Sequence, residues 1–158
     1  MNLPVEILLA ILRYNRAFLQ VLLWYRHLRP FAQSLIFKAV AVDSTEKSLE
    51  MISHLAGNPE LCAKVESVTI TNYREHDLAH IEFLFTNAVQ IREITFTTQT
   101  KTLYERIPWD VISKRPSLNS LQFLSRITRV KMVLELLNTW TFANLERVAL
   151  VPMEGAPY

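Results

Sequence analysis

The residues best placed to do chemistry lie in REHDLAH, residues 74 to 80. His76 and His80 are four apart, a helical spacing that can bring two imidazoles to one metal ion, with Glu75 and Asp77 beside them. No third ligand is evident, and the tandem HExxH signature is absent. The plainer reading is a polar first helical turn, where acidic side chains favour the helix dipole. Cys62 is the single cysteine, so no intramolecular disulfide can form, and a reducing compartment is the simpler setting. A catalytic thiol is one option for it, but within NPELCAKV it reads as a small buried apolar residue. Only two glycines occur in the chain. Neither a P-loop nor a dinucleotide-binding loop can be written with them, and no nucleophile elbow can be drawn. Trp109, Asp110 and Trp140 fit helix packing better than a ligand cage. The expectation is a non-catalytic protein with no metal and no cofactor.

The elements that would position such residues are bounded by composition. The chain has 158 residues, enough for one domain or for two small lobes sharing an interface. Half the residues are apolar and 20% are charged, an ordinary globular balance. Seventeen Lys and Arg are scattered rather than gathered, and the formal charge is only +2, so nucleic acid is not an expected partner.

The N-terminal stretch LPVEILLAIL, residues 3 to 12, is apolar almost throughout. It lacks a basic leading region and holds Glu6, which argues against an export signal. No apolar run approaches the roughly 18 residues that cross a bilayer, and Arg13, Arg16, Arg26, His27 and Arg29 interrupt the region. No membrane association is expected, and the cytoplasm or nucleus is the anticipated location. Pro4 suits a first helical turn. Leu3, Ile7, Ala10, Ile11 and Tyr14 make one stripe, and Leu8, Leu9 and Leu12 make a second on the far side. A surface helix needs one apolar stripe, so a second one asks for a second covering surface. FLQVLLWYRHL (18 to 28) and PFAQSLIFKAV (30 to 40) read as further short helices, Pro30 opening the latter. Three such helices make no core alone, and lean on the rest of the chain, on a partner, or on both.

The remainder has a period. FKAVAV, VESVTI, IREITF, LNSLQF and LERVAL begin at residues 37, 65, 91, 118 and 145, at intervals of 28, 26, 27 and 27. Each reads apolar-x-x-apolar-x-apolar. Periods of roughly 20 to 29 residues mark leucine-rich-repeat solenoids, where each unit gives one strand of a parallel sheet. The intervening segments carry helical stripes: Leu49, Ile52 and Leu55; Leu78, Ile81, Leu84 and Phe85; a shorter turn in PWDVISKRP; then Val130, Val133, Leu134 and Leu137. The predicted class is therefore α/β, with parallel strands and outer helices. The fixed asparagine of the regular leucine-rich unit is missing, which makes this an irregular member.

In such a repeat the apolar positions point inward and the intervening ones stack from strand to strand on the concave side. The aligned ranks are Glu66, Arg92, Asn119 and Glu146; then Ser67, Glu93, Ser120 and Arg147; then Thr69, Thr95, Gln122 and Ala149. Glu66 beside Arg92 is the expected cross-strand pair. The face is small, polar and of mixed sign, suited to a protein surface or to solvent.

LPVEILLAIL, HLRPFAQSLIFKAVAV and HLAGNPELCAKVESVTI together resemble the F-box plus leucine-rich-repeat-like proteins common in fungi. The motif likeness covers residues 3 to 72, and the period carries it further. The resemblance implies an F-box-like helical segment over 1–36 and a solenoid of about four to five strand–helix units over 37–158. It also implies a substrate-recognition role in a ubiquitin ligase, with the F-box docked on a Skp-type adaptor and through it on a cullin. The positions matching the docking motif are Leu3, Pro4, Ile7, Leu8, Ile11, Leu12, Leu23 and Leu28. The repeat would offer the concave positions Glu66, Ser67, Thr69, Arg92, Glu93, Thr95, Asn119, Ser120, Gln122, Glu146 and Arg147 to the substrate. The chain departs from the family pattern after the first helix, where NRAFL lacks the usual aspartate, and at Trp24 and Tyr25, which replace a small pair. The rival reading is a repeat scaffold that binds proteins without any link to ubiquitin transfer.

Overall fold

A computed structural model describes residues 26, 29–71, 78–97, 104, 107–125 and 130–152. The segment holding the first two expected helices lies outside them. The first described element is helix α1, Arg29–Ile36, which carries Pro30 in its first turn, where no intrahelical N–H is lost. Strand β1 follows at Ala39–Val42.

Helix α2, Glu46–Ala56, starts where the sequence supplies capping groups. Thr45 is the N-cap and accepts from the Ser48 amide, while the Ser48 hydroxyl accepts from the Asp43 amide at 3.0 Å. The Asp43 carboxylate accepts from the Thr45 hydroxyl at 2.5 Å and from its amide at 2.9 Å. These bonds, the hydroxyl's first, hold the carboxyl below its usual range. Helix α3, Pro59–Cys62, is a single turn opened by Pro59 and too short to show an apolar stripe. Strand β2 (Ser67–Thr71), helix α4 (Leu78–Asn87), strand β3 (Glu93–Thr97), the short helix α5 (Trp109–Ile112), strand β4 (Ser120–Ser125), helix α6 (Val130–Thr139) and strand β5 (Arg147–Pro152) complete the order.

The five strands form one parallel sheet in the order β1-β2-β3-β4-β5. Their register reproduces the sequence period residue for residue. Ala39 faces Ser67, Ser67 faces Glu93, Glu93 faces Ser120 and Ser120 faces Arg147. The residue before each of β1 to β4 sets this register with its carbonyl. Lys38 O accepts from Glu66 N and Ser67 N; Glu66 O accepts from Arg92 N and Glu93 N. Arg92 O serves Asn119 and Ser120, and Asn119 O serves Glu146 and Arg147, all four pairs at 2.7 to 3.1 Å. Two consecutive amides converging on one oxygen cannot belong to a straight ladder, in which neighbouring amides point opposite ways. The local bend explains the repeat's odd spacing. Val65, Ile91 and Leu118 enter the same core as the strand residues three positions on, although a straight strand would send them to the opposite face.

The core lies between one face of the sheet and the helices. Val40, Val42, Val68, Ile70, Ile94, Phe96, Leu121 and Phe123 from the strands join Ile52, Leu55, Ile81, Leu84, Phe85, Ile112 and Val133 from the helices. Phe96 is its aromatic centre. Its ring stacks on Phe123 at 5.3 Å and meets Tyr104 at 5.5 Å and Trp109 at 5.6 Å. Trp109 gives its indole N–H to the Tyr104 carbonyl at 2.6 Å, so the one polar atom of the ring is satisfied where it is buried. Leu134, expected on the covered stripe of α6, is instead 49% exposed, whereas Val133 beside it is buried.

Phe96→Ala is expected to cost about 3–5 kcal/mol of folding stability, the range for emptying a fully buried phenylalanine site. Thr45→Ala is expected to cost about 1 kcal/mol through the lost cap. Urea denaturation followed by circular dichroism measures both, and the first should exceed the second severalfold.

Candidate functional site

Alternation along the strands divides their side chains between two faces. Burial reads iBiBi in β2 and in β3 and eBeB in β1, so every second residue leaves the core. A parallel sheet covered on both faces has near-continuous apolar strands, and these are not of that kind. The outward residues fall into ranks by the register just described. Ser67, Glu93, Ser120 and Arg147 form one; Thr69, Thr95, Gln122 and Ala149 the next; Thr71, Thr97, Leu124 and Val151 a third. The third rank was missed in the sequence, although reading each repeat one residue further (VESVTIT, IREITFT, LNSLQFL, LERVALV) would have found it.

Glu66, Arg92, Asn119 and Glu146 stand one residue before β2 to β5, and the carbonyls of the first three hold the next unit. Glu66 pairs with Lys38 at 3.1 Å, not with Arg92 as the ranks suggested. Lys38 occupies the same repeat position one unit earlier, and the sequence ranks began one unit too late to include it. Both side chains are partly exposed, so the pair contributes little beyond orientation. Within the outward ranks the Glu93 carboxylate accepts from the Gln122 amide on the neighbouring strand. Thr97 Oγ1 lies 2.8 Å from Thr71 Oγ1 and 3.1 Å from the Ile70 carbonyl. Ser120 departs from its rank, being only 9% exposed, with a buried hydroxyl that makes no hydrogen bond. The result is a largely polar sheet face crossed by short side-chain bonds, turning apolar at Leu124, Ala149 and Val151. Such a surface can bind another protein by shape and hydrogen bonding.

The candidate reactive residues are placed as follows. His76, Glu75 and Asp77 lie outside the described residues, while His80 is half-buried in α4. Among the described residues no group of three or more His, Cys, Asp or Glu comes together as a metal site. Cys62 is fully buried, and burial pushes its thiol up, an effect Arg115 partly offsets. A thiol held protonated is a poor nucleophile. Arg115, which the sequence did not single out, is buried beside it and donates from Nη1 to the Ala88 carbonyl at 2.6 Å, just past the end of α4. A cation there meets the negative end of the helix dipole, while burial pulls the guanidinium down. Trp109 is buried and Trp140 packs partly against the core, as expected of both.

Open α/β sheets bind small ligands in the crevice where strand order reverses. The described strands run in sequence without reversal, so that crevice has no counterpart among them. No described helix is long and apolar enough to cross a membrane. Leu3, Pro4, Ile7, Leu8, Ile11, Leu12, Leu23 and Leu28 all lie outside the described residues. Comparison with known protein families, with characterised proteins and with solved structures finds no match for this chain.

Because the Ser120 hydroxyl is buried without a partner, Ser120→Ala is expected to leave stability unchanged or raise it by up to about 1 kcal/mol. A loss of more than that in urea denaturation would show that the hydroxyl is bonded after all. Cys62 is expected to resist a thiol reagent in the native protein and to react fully once denaturant is added, as read by absorbance of the released chromophore.

Proposed function

We propose that this chain is a non-catalytic substrate-recognition subunit of a Skp–cullin–RING ubiquitin ligase. In this reading residues 1–36 are an F-box-like unit that docks on a Skp-type adaptor. Residues 37–158 are a short, irregular leucine-rich-repeat lobe that presents a protein substrate to the ligase. The protein then works in the cytoplasm or nucleus.

The observation that carries the reading is the agreement between a 26-to-28-residue sequence period and a parallel register that follows it without slippage. A stack of equivalent strand–helix units with one polar sheet face is the economical way to build an extended protein-binding surface. The role in ubiquitin transfer rests on the N-terminal motif. Leu3, Pro4, Ile7, Leu8, Ile11 and Leu12 supply more apolar surface than one helix in a small lobe needs, and an adaptor groove would cover the excess. Leu23 and Leu28 extend the same surface. The outward ranks from Ser67 to Arg147 are the proposed substrate face, with the carbonyl-bearing rank of Glu66, Arg92, Asn119 and Glu146 at its rim.

Co-expression with a Skp-type adaptor should give a one-to-one complex by size-exclusion chromatography with light scattering. Leu3→Asp or Ile7→Asp should weaken it about 30-fold or more, the loss of about 2 kcal/mol expected at a hot spot. The circular dichroism of the repeat lobe should not change. A protein that ignores the adaptor under these conditions is a repeat scaffold with no ligase link.

A further inference from the structure

The turn from Ser113 to Ser117, between α5 and β4, ties three units of the stack together. Its side chains reach back to the connection that precedes β3. Ser117 Oγ lies 3.0 Å from the Val89 carbonyl and 2.8 Å from the Ile91 carbonyl, so one hydroxyl proton serves two acceptors. Arg115 Nη1 donates to the adjacent Ala88 carbonyl at 2.6 Å. In the other direction the next unit hangs on the same turn. Asn144 Nδ2 donates to the Pro116 carbonyl at 2.8 Å, and Ala143 N to the Ser113 carbonyl at 3.2 Å. One of these anchors is weakly set. Arg115 is only 7% exposed, its Nε is buried without a hydrogen bond, and among the described residues no carboxylate pairs with it. A buried cation so poorly matched loses little when it moves out to water. Lys114 and Pro116, on either side of it, are already exposed.

We infer that Ser117 is a phosphorylation site for a basic-directed serine kinase, and that its phosphate draws Arg115 out and loosens the boundary between the β3 and β4 units. Kinases of this class select substrates by charge, through acidic pockets that bind cations shortly before the acceptor. Ser117 is the one serine or threonine of the chain with a basic residue both two and three positions before it, Arg115 and Lys114. Lys114 is available at once, and Arg115 becomes so as the turn swings out. In the transfer the Ser117 oxygen bonds to the γ-phosphorus of ATP and the bond from that phosphorus to the ADP oxygen breaks. The hydroxyl proton passes to the kinase's base. The product has no proton to offer Val89 and Ile91, and its charge of about −2 is repelled by both carbonyl oxygens. Arg115 stands two residues away with an unused Nε–H, so a bidentate pair with the phosphate replaces its bond to Ala88. Both side-chain anchors to the preceding unit are lost together. Glu93, Thr95, Ser120 and Gln122 lie on the two strands that meet at that boundary, so the modification controls the polar sheet face.

The test treats the folded, full-length chain with ATP and a kinase selective for basic residues two and three positions before serine. Mass spectrometry of the product should place a phosphoryl group on Ser117. Lys114→Glu, a change at an exposed side chain, should slow incorporation by about tenfold or more, since it sets like charges together in the kinase's pocket. Hydrogen exchange then compares the two forms of the wild-type chain. The Asn119 and Ser120 amides bond to the Arg92 carbonyl across the boundary. They should exchange about tenfold faster or more once a hydroxyl bond and a charged hydrogen bond are both gone. The Glu66 and Ser67 amides, bonded to Lys38 two units away, should not change. Phosphate that enters Ser117 only after the chain has been unfolded overturns the inference. So does phosphate on Ser117 with exchange at Asn119 and Ser120 unchanged, or incorporation that Lys114→Glu leaves at the wild-type rate. The adaptor experiment is independent of all these outcomes.

Discussion

Four carbonyl oxygens hold this structure in step. Lys38, Glu66, Arg92 and Asn119 each receive two successive amides of the following unit. The strand that comes next can then neither slide nor rotate without losing both bonds. A slip of one residue would turn every core side chain outward, and the cost of that exposure reinforces the bonds. The core residue ahead of each strand depends on the same bend. Without it Val65, Ile91 and Leu118 would lie on the solvent side.

Fixing the register builds the interior as columns. Equivalent positions stack across the sheet, so Ile94 and Leu121 form a continuation of Val40 and Val68, and Phe96 lies against Phe123. Aromatic residues in neighbouring units meet because the sheet leaves them no other place. Trp109 and Tyr104, from the connection between β3 and β4, close over that pair. The outward columns follow the same geometry with polar side chains, which is why Thr71 meets Thr97 and Glu93 reaches Gln122. One constraint thus produces both the packed face and the polar one.

Much of this was legible in the sequence. The period fixed which residue opposes which, because a repeat that buries the same positions in every unit admits a single register. The stripes of α2 and α4 were equally clear, since Ile52, Leu55, Ile81, Leu84 and Phe85 all enter the core. Features decided by a neighbour in space were not readable. Glu66 chose Lys38 over Arg92, two cations at equivalent places on either side of it. Leu134 shares the helical stripe of α6, yet the end of the sheet leaves it uncovered. Arg115 lies in a turn, SKRP, that reads as solvated, and is buried because α4 ends above it. Residues 1–25, which carry the motif behind the proposed docking, fall outside the described structure.

The sequential order of the strands also governs how the chain can find its shape. Each described strand pairs only with its neighbours in sequence, so each of these closures spans 26 to 28 residues. Loop-closure entropy grows only with the logarithm of loop length, so the steps cost nearly the same. Assembly can begin at whichever pair of units meets first and spread in both directions. The aromatic pair at β3 and β4 makes the centre the natural seed, with the outermost strands last to join and first to fray.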